Sequence, residues 1–135
     1  MTSNAVTDTA DRLFAAIEAG RQAEVAGMWS ADIAVWRTGR GPAKTDDKAR
    51  ALRVIDWFIE NTRSRSYEIL DRLVFDDCDG GGRGFVQQHI LHATGKSGAS
   101  ISVRVCMVIK LDDQGLIATI EEYFDPAELA PLLGR

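Results

Sequence analysis

Four consecutive stretches decide the fold: FVQQHILHA (85–93), SISVRVCMVIKL (100–111), LIATIEEYF (116–124) and DPAELAPLL (125–133). The first three are rich in β-branched and aromatic residues, and turn signals separate them: TGKSGA (94–99) and DDQG (112–115). That pattern predicts three antiparallel strands joined by hairpins. The fourth predicts a short closing helix, with Asp125 as N-cap, Pro126 in the first position and Glu128 in the third. Side chains on a strand alternate between two faces. Phe85, Gln87, His89 and Leu91 therefore share a face, as do Ile120, Glu122 and Phe124. Glu121 and Tyr123 share the opposite one. Gln87, His89 and Glu122 are thus polar groups where a core-facing sheet should be apolar. Either they line a pocket, or they sit on a wet or partner-facing surface.

Upstream, residues 5–19 carry Leu13, Phe14 and Ile17 at helical spacing and stop at Gly20. A second short helix is expected over 21–29, with Val25, Met28 and Trp29 on one face. A strand follows over 32–36, then a Gly/Pro loop over 37–44. Thr45 is the expected N-cap of the longest helix, 46–62, with Asp46 and Asp47 in its first turn. Its buried stripe should be Ala49, Leu52, Ile55, Phe58 and Ile59, with Trp57 at an edge. Residues 67–76 read as a strand and CDGGGRG (78–84) as a turn.

Helices first and antiparallel hairpins last indicate an α+β fold, expected as a single domain over 1–135. A curved, mostly antiparallel sheet wrapped around the N-terminal helices makes a cone with an open end. Side chains do not fill such a cone, so an apolar pocket is expected. Trp29, Trp36, Phe58, Met107 and Phe124 are candidate walls, the plain alternative for each being core packing.

The formal net charge of -4 and the absence of a Lys/Arg run give no electrostatic basis for nucleic-acid binding. No apolar run approaches the roughly 20 residues that cross a bilayer. The N-terminus lacks a basic start and an apolar core, so a cytoplasmic location is expected. Cys78 and Cys106 are expected as reduced thiols; a disulfide would need Cα atoms within about 7 Å. No metal-ligand spacing is present. The glycine turn joins two strands rather than opening a helix, so it is not a phosphate loop. Neither metal nor organic cofactor is expected.

The candidate chemistry rests on three side chains. His89, with a reference pKa near ~6.5, can exchange protons at neutral pH. Gln87 can donate to a carbonyl or orient His89. Glu122 among apolar neighbours suits acid/base work. His92 falls on the face opposite His89. Arg104, alternating with Val103 and Val105, should lie on the convex face. Asp125 is explained by capping alone.

The element order, Gln87-x-His89 and the ending GLIATIEEYFD (115–125) resemble the nuclear-transport-factor-2-like (NTF2-like) superfamily. The nearest branch is the SnoaL-like polyketide cyclases and ketosteroid-isomerase-like proteins, with similarity to limonene epoxide hydrolases. The resemblance implies a cystatin-like cone with a cavity, a homodimer built on sheet surfaces, and a small apolar carbonyl-containing or epoxide ligand. The cyclases' Gln-x-His pair matches Gln87 and His89, but their Asp on the next strand has no counterpart in Ser102–Cys106. The hydrolases' acidic residue on the final strand falls on Glu122. Their Arg-x-Asp pair is replaced by Gln87-x-His89, and their first-strand Tyr and Asn by Trp36 and Thr38. The isomerases' base on the first strand is missing from Trp36-Arg37-Thr38. The leading expectation is proton removal next to a carbonyl by His89 or Glu122, with Gln87 and His89 stabilising the enolate. The second is epoxide hydrolysis with Glu122 activating water. The third is a binding module without chemistry.

Overall fold

The computed structural model describes residues 3–77 and 82–134. Of the turn expected over 78–84, residues 78–81 lie outside the described residues, and with them any pairing of Cys78, while 82–84 already belong to a strand. Helix α1 (Ser3–Ala19) buries Val6, Ala10, Leu13, Phe14 and Ile17, one stripe of a 3.6-residue period. Gly20 ends it at φ +73, a conformation that other residues adopt only with strain. Helix α2 (Gln22–Met28) buries Val25 and Met28. Strand β1 runs Trp29–Arg37, so Trp29 opens a strand instead of closing a helix.

Helix α3 (Lys48–Glu60) starts later than expected, because Asp46 is still extended and exchanges backbone hydrogen bonds with Val35 at 2.8 and 3.0 Å. Asp47, not Thr45, is the N-cap, accepting from the Arg50 amide at 2.9 Å. Ala51, not the expected Ala49, is the fully buried position, while Leu52, Ile55 and Phe58 are only half-buried.

Strands β2 (Thr62–Asp77), β3 (Gly82–Gly95), β4 (Ser100–Leu111) and β5 (Ile117–Tyr123) follow as antiparallel neighbours. The five-stranded sheet has the order β1-β5-β4-β3-β2, with β1 parallel to β5 and its edges unpaired with each other. This is the α+β architecture expected from the sequence. Sheet crowding explains Gly84, where a Cβ would collide with the Ile109 carbonyl. The closing helix (Pro126–Leu133) is capped by Asp125 as expected, but it is 3₁₀ in type. Pro131 removes a backbone donor inside it, so an α-helical ladder does not propagate.

The register sets a row of directly opposed residues across the inner face. Arg72 faces Gln87, Gln87 faces Met107, Met107 faces Glu122, and Glu122 faces Arg37. At the β3 end, Arg72 Nε donates to Gln87 Oε1 at 2.8 Å, and Arg72 Nη1 to Asp11 Oδ1 at 2.7 Å. The arginine holds the amide oxygen, so Gln87 Nε2 points to His89 Nδ1, 2.8 Å away. This assignment makes Nδ1 the acceptor and puts the proton of neutral His89 on Nε2. Gln87 is 0% and His89 1% exposed, and the ring packs edge-on against Phe14 and Tyr67, with centroids 5.4 and 4.9 Å away.

Two predictions follow from these supports. Arg65 donates to the carbonyls of Ile17 (3.0 Å), Glu18 (3.2 Å), Ile59 (3.2 Å) and Thr62 (3.2 Å), so one guanidinium caps the C-termini of α1 and α3. Arg65→Met should lower stability by about 2–4 kcal/mol, read as a fall in urea midpoint at unchanged slope. Burial first, and the Arg72 charge second, push the His89 pKa down from 6.5 to about 4. The unfolded chain then binds the proton first. This contribution is fully present above pH 6.5 and is lost as pH falls to about 4, a loss of roughly 3 kcal/mol. Urea titrations across that window should show the loss in the wild type and much less of it in His89→Phe.

Candidate functional site

A cavity of about 160 Å³ lies between the inner sheet face and the helices. Val103, Val105 and Met107 of β4, with Ile120 and Phe124, form its sheet wall. Leu13, Phe14 and Ile17 of α1 and Ile55 and Phe58 of α3 face them. Leu129 and Leu132 of the closing helix complete it. Val54, Trp57 and Leu133 also line it, yet are 41–48% exposed, so they form an apolar rim. The half-burial of α3 has the same cause: its stripe faces a hollow rather than solid core.

Arg37, Tyr67 and Glu122 interrupt this apolar wall. Arg37 Nε donates to Glu122 Oε1 at 3.0 Å. The backbone is tied at the same point. The Thr38 amide donates to the Glu122 carbonyl at 3.0 Å, and Thr38 Oγ1 accepts from the Phe124 amide at 3.2 Å. Arg37 Nη1 is enclosed without a hydrogen-bond partner, 3.9 Å from Asp46 Oδ2. Asp46, 5% exposed, is held instead by Arg40 Nη2 at 2.7 Å and approached by Arg50 Nε at 3.8 Å.

Tyr67 is held edge-on between Phe14, at 4.8 Å, and His89, at 4.9 Å. Burial, then the negative charges of Glu122 and Glu18, push its hydroxyl above the ordinary tyrosine range. Tyr67 is therefore a neutral donor, and its hydroxyl has no partner among the described residues. A carboxylate, a guanidinium and a neutral hydroxyl in one apolar hollow can exchange a proton with a ligand and stabilise an oxyanion.

The sequence-derived candidates separate into three places. Glu122, Trp29, Phe58, Met107 and Phe124 line the cavity. Trp36 does not: it lies on the outer face, its ring tilted against Tyr123 with centroids 5.0 Å apart, and Nε1 donates to the Gly41 carbonyl at 2.8 Å. Ile33, Val35 and Arg37 take the inward positions of β1. Gln87 and His89 do point inward, but they are buried behind Phe14 and Tyr67 and are not part of the cavity wall. Strand β4 stands between them and Glu122, and His89 is enclosed at 1% exposure while Glu122 opens on the cavity. The imidazole and the carboxylate therefore do not meet at one reacting atom. His92 is on the opposite face, bonded to Ser102 and Glu68, and Arg104 is exposed beside Gln88.

Arg37 and Tyr67 were missed in the sequence. Alternation from Ile33 and Val35 points to Arg37 as the next inward residue, but the adjoining Gly/Pro run reads as loop. Tyr67 precedes a register shift between Ile69 and Asp71, which breaks the period-two signal of β2. Among the described residues, no cluster of His, Cys, Asp and Glu is arranged to hold a metal, and no helix is long and apolar enough to cross a membrane.

Comparison with known proteins agrees with this geometry at the level of fold. An LEH-like epoxide hydrolase of M. tuberculosis superposes with a TM-score of 0.70 at 16% identity, covering 98% of this chain and 92% of that one. A candidate isomerase from Bacillus subtilis gives 0.75 at 14% identity, covering 99% and 96%. A candidate polyketide cyclase from Xanthomonas campestris pv. campestris gives 0.71 at 15%, covering 96% and 97%. No curated protein sequence matches the chain. A SnoaL-like domain profile matches residues 10–120, and the chain belongs to that NTF2-like family.

Proposed function

We propose that this chain is a small-molecule enzyme that moves a proton next to a carbonyl, without an organic cofactor. The observation that carries the proposal is Glu122 in an apolar cavity that also holds the neutral Tyr67 hydroxyl. Glu122 takes the proton from the carbon α to the carbonyl. The C–H electron pair moves into the enolate, whose oxygen accepts a hydrogen bond from Tyr67. Glu122 then returns the proton, to the same carbon or another, as an isomerase or cyclase requires. Gln87 and His89 act at one remove, holding the ring of Tyr67. Trp29, Phe58, Met107 and Phe124 hold the apolar body of the ligand. The likeness to a candidate isomerase and a candidate cyclase supports this class of reaction. The chain is further proposed to work as one domain in a cytoplasmic homodimer, through the outer sheet face where Leu73 and Tyr123 are exposed.

A second reading is supported by Arg37, which stands between Glu122 and Asp46. Such a carboxylate–guanidinium–carboxylate array suits water activation for epoxide opening, as does the likeness to an epoxide hydrolase. The two readings divide on one pair of assays: solvent deuterium exchange into 2-methylcyclohexanone and hydrolysis of cyclohexene oxide to its diol. The proposal expects exchange in the wild type, reduced about 10²–10⁴-fold in Glu122→Gln and about 10–10³-fold in Tyr67→Phe. Exchange that survives Glu122→Gln sinks it. Diol formation without exchange transfers the assignment to hydrolysis, and neither activity leaves a ligand-binding module.

A further inference from the structure

Among the described residues Arg37 is the one cation in the cavity wall, and Glu122 uses only part of it. A guanidinium has five N–H groups in a planar fork. Nε is taken by Glu122, and Nη1 is shut in beside Asp46. Nη2 has no partner among the described residues, and unlike Nη1 it is not enclosed. Its two N–H bonds are without a protein acceptor beside an apolar hollow, and an oxygen of the ligand can accept from them.

The surrounding charges indicate which kind of oxygen. Asp46 is served at 2.7 Å by Arg40 and approached at 3.8 Å by Arg50, so it does not need Arg37. Arg37, Arg40 and Arg50 therefore face two carboxylates, Asp46 and Glu122. Arg50 is more than half exposed, and water screens part of this excess. The remainder favours a ligand bearing one negative charge over a neutral ligand of the same shape.

We infer that Arg37 anchors a carboxylate of the ligand through Nη2, and that the substrate class is a small apolar keto acid. This rests on reading the cavity as the substrate site. With the carboxylate on Arg37, the ketone oxygen accepts from Tyr67, and the carbon between them is presented to Glu122. Arg37, Tyr67 and Glu122 then each have one task.

Cyclohexanecarboxylate and cyclohexanecarboxamide have nearly the same shape and differ in charge. Trp29 and Trp57 line the cavity, so quenching of tryptophan fluorescence reports occupancy. The wild type should bind the acid more tightly than the amide by roughly tenfold or more. Glu122→Gln should keep that preference, and Arg37→Met combined with Glu122→Gln should reduce it to parity. The double variant removes both charges, so neither is left buried alone. Circular dichroism checks its fold, and Arg37→Lys gives a second variant, expected to retain part of the preference. Equal binding of acid and amide by the wild type overturns the inference. So does a preference that survives in the folded double variant, or the absence of saturable quenching by either compound. Deuterium exchange is read separately. Acid preference without exchange removes only the proton-transfer reading, and exchange without acid preference removes only this inference.

Discussion

The contact between Glu122 and Arg37 is the constraint on which the rest of the molecule depends. A carboxylate on the inner face of a sheet has lost much of its water, and leaving it alone there costs about 3–5 kcal/mol. It is tolerable only opposite a cation at hydrogen-bonding distance, here 3.0 Å. The two residues are register partners in the parallel pair of β1 and β5. That pairing exists because α3 carries the chain away from β1 and leaves its edge free for β5. Thr38 and Phe124 fasten the backbones at the same place. The site and the join between the first and last strands are therefore one structure, and neither can slip by a residue without stranding a charge.

The same row of the sheet carries two polar clusters with opposite properties, and Met107 separates them. At one end, Arg72, Gln87 and His89 form a hydrogen-bonded chain that leaves Arg72 Nη2 enclosed without a partner and ends in an imidazole kept neutral by burial. At the other, Arg37 and Glu122 keep part of their side chains open to the cavity, 15% and 23% exposed. The difference lies in what covers them. Phe14 and Tyr67 close over His89. Over Glu122 the covering elements are α3 and the closing helix, which line the hollow. Equally inward positions thus become core at one end and cavity wall at the other.

This explains which parts were legible beforehand. Strand period alone groups Gln87 and His89 with Phe85 and Leu91, and Glu122 with Ile120 and Phe124 against Glu121 and Tyr123, and leaves open which face is inward. It also gives the element order, because hairpin and capping signals are local. What covers each residue is not local. The sequence carries no mark of the approach of Phe14 to His89, nor of the pairing that makes Arg37 a strand residue rather than the start of a loop. Trp36 lies outside the inner cavity, because the alternation from Ile33 and Val35 puts it on the outer face beside Tyr123. The start of α3 moved because Asp46 bonds to Val35, a partner distant in sequence.

A hollow under a sheet weakens the fold that contains it. Were the 160 Å³ fully enclosed and dry, the lost contacts would cost about 4 kcal/mol at the value found for core truncations, ~24 cal/mol per Å³. Both helical walls are weak on their own terms: α3 buries only Ala51 completely, and the closing helix is a 3₁₀ turn. Arg65 supplies a compensation away from the hollow, where it fixes the ends of α1 and α3 together. Glu18 adds another by accepting from the Tyr67 amide at 2.8 Å, which ties α1 to the strand that carries the hydroxyl. The walls can then stay apart because their ends are held. That is the condition under which a charged pair and an unpartnered hydroxyl remain in a cavity instead of collapsing onto one another.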